Sequence, residues 1–146
     1  MKRGQISLDF LFAVTLITIT MLNLVYIADS ERAHSETFDT IAKLKAFSID
    51  VRDSVVKVYT AGDGFTVRKE LPINLDAGDK VTVSLLAPDS VVVNATIGGK
   101  GYRVAQRSPV PIYENTSVTL TGADRDFSIV ATYNETEGRL DVTLSP

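Results

Sequence analysis

The amino-acid sequence predicts an α+β fold, in which one long N-terminal helix packs on an antiparallel β-sandwich-like head. Three observations support this prediction. Residues 5–61 contain no proline or glycine, Gly62-Asp63-Gly64 is the first strong stop pattern, and the residues after it form short β-branched or aromatic runs separated by turn sequences. The length of 146 residues leaves room for one compact domain besides the helix.

The first part of the predicted helix is strongly apolar. Residues 10–28 carry no formally charged side chain; Lys2 and Arg3 precede this run, and Asp29 and Glu31 follow it. As a helix the run is about 28 Å long, close to the roughly 30 Å hydrocarbon thickness of a bilayer. A membrane anchor with the C-terminal bulk exported satisfies the positive-inside rule. A cleaved secretory signal and a buried core helix stay open as alternatives.

Large apolar side chains in this run recur at helical spacing and predict a face that packs against sister helices or lipid. They are Phe10, Leu11, Val14, Ile17, Met21, Leu24 and Val25. Four uncharged polar residues interrupt the run: Thr15, Thr18, Thr20 and Asn23. In membrane helices such side chains bond either to a neighbouring helix or back to their own backbone, and the sequence leaves both possibilities open.

Residues 29–61 continue the helical period in amphipathic form. Apolar residues recur at intervals of three or four positions; they are Phe38, Ile41, Ala42, Leu44, Phe47, Ile49, Val51, Val55 and Val58. Charged residues occupy most positions between them. We therefore expect this half of the helix to pack on the head.

Residues 62–146 predict a β-rich extracellular head with seven strands. The predicted strands are residues 65–75, 80–86, 91–97, 102–106, 117–121, 127–133 and 140–144. Several alternate strictly between apolar and polar residues, as residues 80–85 do. Short strands at this spacing are typical of an antiparallel sandwich or barrel.

Composition excludes several classes of function. The chain has no cysteine, so neither a disulfide framework nor a thiolate metal site can form. The formal charge is −3, and it becomes −5 if Lys2 and Arg3 are removed with a leader. Such a surface argues against binding to nucleic acid, which favours clustered lysine and arginine.

Residues with catalytic or ligand-binding chemistry are few. His34 is the only histidine, and it lies on a charged stretch just after the apolar run. Gly98-Gly99-Lys100-Gly101 lacks the Ser or Thr and the following helix of a phosphate-binding loop, so a hairpin turn is predicted. Two acid pairs, Asp76 with Asp79 and Asp124 with Asp126, lack the spacing of a calcium loop and are predicted to be turn residues. We expect no enzyme activity, no metal site and no cofactor.

Three segments match the N-glycosylation pattern and all lie in the predicted head. The candidate acceptors are Asn94, Asn115 and Asn134. Glycans at such positions would suit a surface exposed outside the cell.

The N-terminus provides the most specific pattern. Gly4-Gln5-Ile6-Ser7-Leu8-Asp9 resembles the class III signal peptide of archaeal type IV pilin-like proteins, where Gln-x-Ser-x-Glu-x-x-x-Leu follows the cleavage point. Gln5 and Ser7 match, Asp9 keeps the carboxylate in place of glutamate, and Ala13 stands where that family has leucine. The resemblance covers residues 1–28.

The resemblance implies a leader of residues 1–4, removed between Gly4 and Gln5 by a prepilin peptidase. Residues 5–28 would then form the transmembrane and assembly helix, with Gln5, Ser7 and Asp9 setting its registry. A free ammonium at Gln5 of one copy can pair with Asp9 of another inside an apolar bundle. The protein would wait in the cell membrane and then self-associate, through a pilus assembly platform, into a helical surface filament of adhesive function.

Two further classes remain open. The chain can be a minor or tip subunit, or a membrane-anchored accessory protein whose head binds the cell envelope without polymerising. An enzyme is a third class. The sequence counts against it, because it contains no recognisable catalytic pattern.

Overall fold

A computed structural model describes the backbone of residues 2–146 and the side chains of residues 8–146. Within them lie one helix, α1 (Lys2–Ala61), and seven strands. The strands are β1 (Thr66–Glu70), β2 (Lys80–Leu86), β3 (Ser90–Ile97), β4 (Lys100–Arg107), β5 (Thr116–Leu120), β6 (Asp126–Asn134) and β7 (Arg139–Ser145). The predicted α+β class is confirmed. The chain forms two compact units, Met1–Thr40 and Ile41–Pro146, and α1 contributes residues to both.

The helix ends where the sequence predicts a stop. Gly62 has a φ of 96°, and its N–H donates to the carbonyl of Val58 at 3.2 Å. This hydrogen bond satisfies one of the last helical carbonyls, and the left-handed backbone of Gly62 turns the chain out of the helix.

The strands form two antiparallel sheets in the second unit. The four-stranded sheet has the order β4-β3-β2-β5, and the three-stranded sheet has the order β1-β6-β7. Between β3 and β4 the turn residues Gly98 and Gly99 both have positive φ, 56° and 74°, as a two-residue hairpin of this kind requires. The sheets approach each other at β5 and β7, where the Leu144 N–H donates to Oγ1 of Thr116 at 3.1 Å.

The C-terminal part of α1 belongs to the core of the second unit. Its apolar face is at most 2% exposed and consists of Leu44, Phe47, Val51, Val55 and Val58. The ring of Phe47 meets that of Phe127 on β6 edge to face, with centroids 6.2 Å apart. Inward-facing residues of both sheets complete one hydrophobic core with this face.

Polar contacts attach the same part of α1 to both sheets. Lys69 on β1 reaches both carboxylate oxygens of Asp50 at 2.9 Å. Nε2 of Gln106 on β4 donates to Oγ of Ser48 at 3.3 Å. Because β1 and β4 are edge strands of different sheets, these contacts fix the helix to one edge of each sheet.

The first predicted strand is wrong in its second half. We expected a strand over residues 65–75, but β1 ends at Glu70. Pro72 has no N–H to give to a ladder and so interrupts the strand. The chain continues as an irregular segment in which Leu71 is buried and its N–H donates to the carbonyl of Arg125 at 3.0 Å.

A fragment of residues 30–146 should fold by itself. Every buried apolar residue of the described chain lies at Leu44 or beyond, so the fragment keeps the whole core. We expect a soluble monomer with cooperative thermal unfolding, measured by gel filtration and circular dichroism. A matched fragment of residues 62–146 lacks the buried helix face and should fail to unfold cooperatively; equal stability of the two fragments would contradict this core.

Replacement of Phe47 should be costly, because the ring is 2% exposed. Phe47→Ala in the 30–146 fragment should lower the free energy of unfolding by about 3–5 kcal/mol. Phe38→Ala is the matched control on the same helix, since Phe38 is 70% exposed, and should change it by at most about 0.5 kcal/mol. Urea titration measures the free energy of unfolding of both variants. A similar decrease in the two would show that the burial pattern is incorrect.

Candidate functional site

The most unusual surface of the molecule is the apolar segment, defined here as residues 8–28 of α1. All its large apolar side chains are exposed, from 44% for Val14 to 75% for Tyr26. Soluble monomers rarely expose a continuous apolar surface of this extent. By length and composition this helix is able to cross a membrane. The segment therefore needs a cover of lipid or of other apolar helices.

The predicted packing face is not distinguished by exposure. Its seven residues, Phe10, Leu11, Val14, Ile17, Met21, Leu24 and Val25, are 44–70% exposed. Residues outside that face, such as Phe12, Leu16 and Ile19, are exposed to a similar extent. A helix that is apolar on all sides suits a membrane or the interior of a bundle.

The hydroxyl groups of the threonines in the apolar segment form hydrogen bonds with the backbone of the same helix. Oγ1 of Thr15, Thr18 and Thr20 donates to the carbonyl oxygen four residues earlier in each case, at 2.8 Å. The back-bonded alternative left open by the sequence is the one that the structure adopts. These residues can lie against hydrocarbon without an unpaired donor.

The residues of the predicted processing and registry sites lie at the start of α1. Gly4, Gln5 and Ser7 are outside the described side chains. Asp9 is exposed and directly precedes the uncharged run that begins at Phe10. A carboxylate at this position is expensive to move into hydrocarbon unless a cation accompanies it.

The three glycosylation candidates have different surroundings. Asn94 is exposed on β3, a central strand of the four-stranded sheet, and no described side chain bonds to it. Asn115 is exposed, and its Oδ1 accepts a hydrogen bond from the Ala87 N–H at 2.7 Å. Asn134 is half-buried, and both the Oδ1 and the Nδ2 of its amide form hydrogen bonds. Asn94 is therefore the acceptor most open to a modifying enzyme in the folded head.

The amide of Asn134 holds a turn together. Its Oδ1 accepts from the N–H groups of Thr136 and Glu137 at 3.1 and 3.2 Å, and its Nδ2 donates to Asp141 at 3.1 Å. Asp141 is only 7% exposed and also accepts from Nε of Arg139 at 2.9 Å. Loss of the Asn134 amide would leave a buried carboxylate short of a donor.

Two of the four aspartates considered for metal binding have structural partners. Asp79 accepts from the N–H groups of Gly98 and Asp76 at 2.9 and 3.3 Å, and Asp126 pairs with Arg68 at 2.5 Å. Among the described residues, no three His, Asp or Glu side chains lie close enough together to hold a metal ion. His34 is exposed on α1.

Sequence reasoning missed an open groove of about 1050 Å³ in the second unit. It lies between α1, at the half-buried residues Arg52 and Val56, and the proline-containing segment of residues 107–111. Arg52 pairs with Asp53 at 2.7 Å and Arg107 with Asp89 at 2.5 Å. Both guanidinium groups are thus already neutralised. The cluster of prolines at positions 88, 109 and 111 is the sequence feature that could have indicated it.

The groove has no activated nucleophile among its described lining residues. The hydroxyl of Ser108 donates to the carbonyl of Val110 at 2.8 Å and accepts from the N–H of the same residue at 3.3 Å. Ser108 is 4% exposed, so it shapes the loop. The groove is open enough to accommodate a partner surface, and the Ser108 hydroxyl in its lining bonds to its own loop and not to a general base.

Comparisons of the chain with models of protein families, with characterised proteins and with solved structures find no match. Its function must be inferred from the apolar segment, the head and the N-terminal pattern.

Asn134 and Asn94 provide a matched pair of variants. Asn134→Ala should lower the free energy of unfolding of the 30–146 fragment by about 1–3 kcal/mol, because it removes the donor to a buried carboxylate and two acceptor contacts. Asn94→Ala should change it by at most about 0.5 kcal/mol. Urea unfolding measures both values, and a larger loss for Asn94→Ala would contradict the two environments.

Proposed function

We propose that this chain is a structural subunit of an archaeal type IV pilus-like surface filament, assembled through the apolar segment after removal of a leader at Gly4 and Gln5. The observation that carries the proposal is that the apolar segment is exposed on all sides, while the head has a complete core beyond it. A subunit of this kind needs a surface that many copies cover together. The resemblance of residues 4–9 to a class III signal peptide supports the same function.

The membrane holds the subunit before assembly. Lipid covers the apolar segment as well as sister helices do, so apolar burial changes little when the helix leaves the bilayer. Packing and charge pairing must therefore decide whether a filament forms. Cleavage creates an ammonium group at Gln5, and Asp9 of a neighbouring copy pairs with it. In an apolar bundle this attraction is much stronger than in water, and it selects one axial register.

The heads are suited to cover the outside of the filament. Their outward-facing strand positions carry hydroxyl, amide and charged groups, such as Thr82, Asn94 and Thr119 on the four-stranded sheet. We propose that Asn94 carries an N-glycan there. Adhesion is the function that we assign to the filament. The assembly platform and the prepilin peptidase are its other partners, and no catalytic role is proposed.

The groove beside residues 107–111 favours a second candidate function. A tip or minor subunit, or an accessory protein that stays in the membrane, needs a docking surface on its head, and this groove is a concave surface of about 1050 Å³ on it. Abundance in sheared surface material separates the two: a major subunit dominates that fraction, whereas a minor or accessory protein does not.

Asp9→Ala should abolish assembly while leaving processing and membrane insertion intact. The substitution removes the carboxylate that pairs with the new N-terminus, and it makes the helix more apolar. Electron microscopy of the cell surface and immunoblots of sheared material measure assembly, and the mass of the membrane-bound chain measures processing.

Asp29→Ala is the control for this variant, because Asp29 is an exposed aspartate on the same helix beyond the apolar run. It should form filaments normally. Normal filaments from Asp9→Ala, or equal loss from both variants, would refute the registry role of Asp9.

A further inference from the structure

Asn23 differs from the threonines of the apolar segment. Its side chain is exposed, and no side chain or carbonyl of the described residues bonds to its amide. The hydroxyls of Thr15, Thr18 and Thr20 are satisfied within the helix. An amide brings both a donor and an acceptor, and hydrocarbon offers neither partner.

Asn23 also lies deep in the predicted span. Residue 19 is the middle of the uncharged run 10–28, so Asn23 is about 6 Å from that middle along the helix axis. The hydrocarbon core extends about 15 Å on either side of its midplane. Asn23 therefore cannot reach the headgroup region as easily as Tyr26 or Ser30 can.

The neighbours of Asn23 form a stripe with heptad spacing. At about 100° per residue, Phe12, Leu16, Ile19 and Tyr26 all lie within roughly 60° of Asn23 on the helix. We call these five residues the Asn23 stripe; the four apolar or aromatic members are 52–75% exposed. Alternating intervals of three and four residues are those of a helix that packs along another helix. Val14, Met21 and Val25 lie roughly 160–180° away, on the opposite side.

We propose that the Asn23 stripe is the contact between two parallel copies of this chain in the membrane, with the two Asn23 amides hydrogen-bonded to each other. Copies inserted with the same orientation have residue 23 at the same depth in the membrane. The Asn23 amide of each copy then offers the hydrogen-bond donor and acceptor that the other amide lacks. A single asparagine at the core of a heptad contact fixes register and partner number in this way.

This contact rests on the proposed membrane-embedded state and not on filament formation. Pairing of Asp9 with Gln5 of a neighbour shifts two helices by four residues, about 6 Å, and so separates the two Asn23 side chains. The in-register Asn23 pair therefore belongs to the pool of subunits in the membrane, and assembly into a filament exchanges it for the staggered register.

Cysteine cross-linking tests the contact directly, because the chain has no cysteine of its own. Full-length single-cysteine variants are purified and reconstituted in phosphatidylcholine vesicles at low protein density, and then oxidised. Leu16→Cys and Ile19→Cys report on the Asn23 stripe, and Val14→Cys and Met21→Cys report on the opposite side. We expect disulfide-linked dimers on a non-reducing gel for the first pair and little dimer for the second.

Asn23→Leu in the Ile19→Cys background tests the amide itself. Removal of the hydrogen bond should weaken dimerisation about 3- to 30-fold, read from the dimer fraction across a series of protein densities. Thr18→Val in the same background is the control, since its hydroxyl bonds to Val14 within the helix, and it should leave the dimer fraction unchanged.

Equal cross-linking at all four positions, preferential cross-linking at Val14 and Met21, or an unchanged dimer fraction in Asn23→Leu would each overturn the proposal. The vesicles contain no prepilin peptidase, so the leader stays on and no filament can form. A failure of the proposed filament function in cells and a failure of this contact are thus separate results.

Discussion

The structure depends on one constraint: α1 carries two extended apolar surfaces, one over residues 8–28 and one from Leu44 onward, and each of them must be covered. Beyond Leu44 the cover comes from the chain itself, because both sheets pack on the helix and bury Phe47, Val51, Val55 and Val58. From Leu8 to Ile27 the chain provides no cover within its described residues. The same helix is therefore a core element of the head and a surface that only lipid or other molecules can bury.

Several polar side chains of the head are used to hold its own structure. Its acidic residues are used in turns and ion pairs, as Asp79, Asp126 and Asp141 are. Ser108, which lines the groove beside residues 107–111, has its hydroxyl bonded within its own loop. These contacts are structural, and they are compatible with the covering role that we propose for the head.

Much of this architecture was predictable from local sequence patterns. The absence of proline and glycine over residues 5–61 predicted α1, and turn residues such as Gly98 and Gly99 predicted the hairpins. Periodicity could not show which apolar positions are covered: Phe38 continues the pattern of Leu44 and Phe47, yet it is 70% exposed. The groove brings together residues that are distant in sequence, so no local pattern contains it. The turn held by Asn134 is local, but the glycosylation pattern that it shares with Asn94 does not show which of the two amides is hydrogen-bonded.

The most direct test of the central claim is the mass of the N-terminal peptide of the protein recovered from native membranes and from sheared surface material. A filament subunit of the proposed kind begins at Gln5 in both fractions and is enriched in the sheared one. A chain that begins at Met1, or beyond Ala28, and is absent from the sheared fraction would contradict the claim. It would identify the apolar segment as an ordinary anchor or a secretory signal.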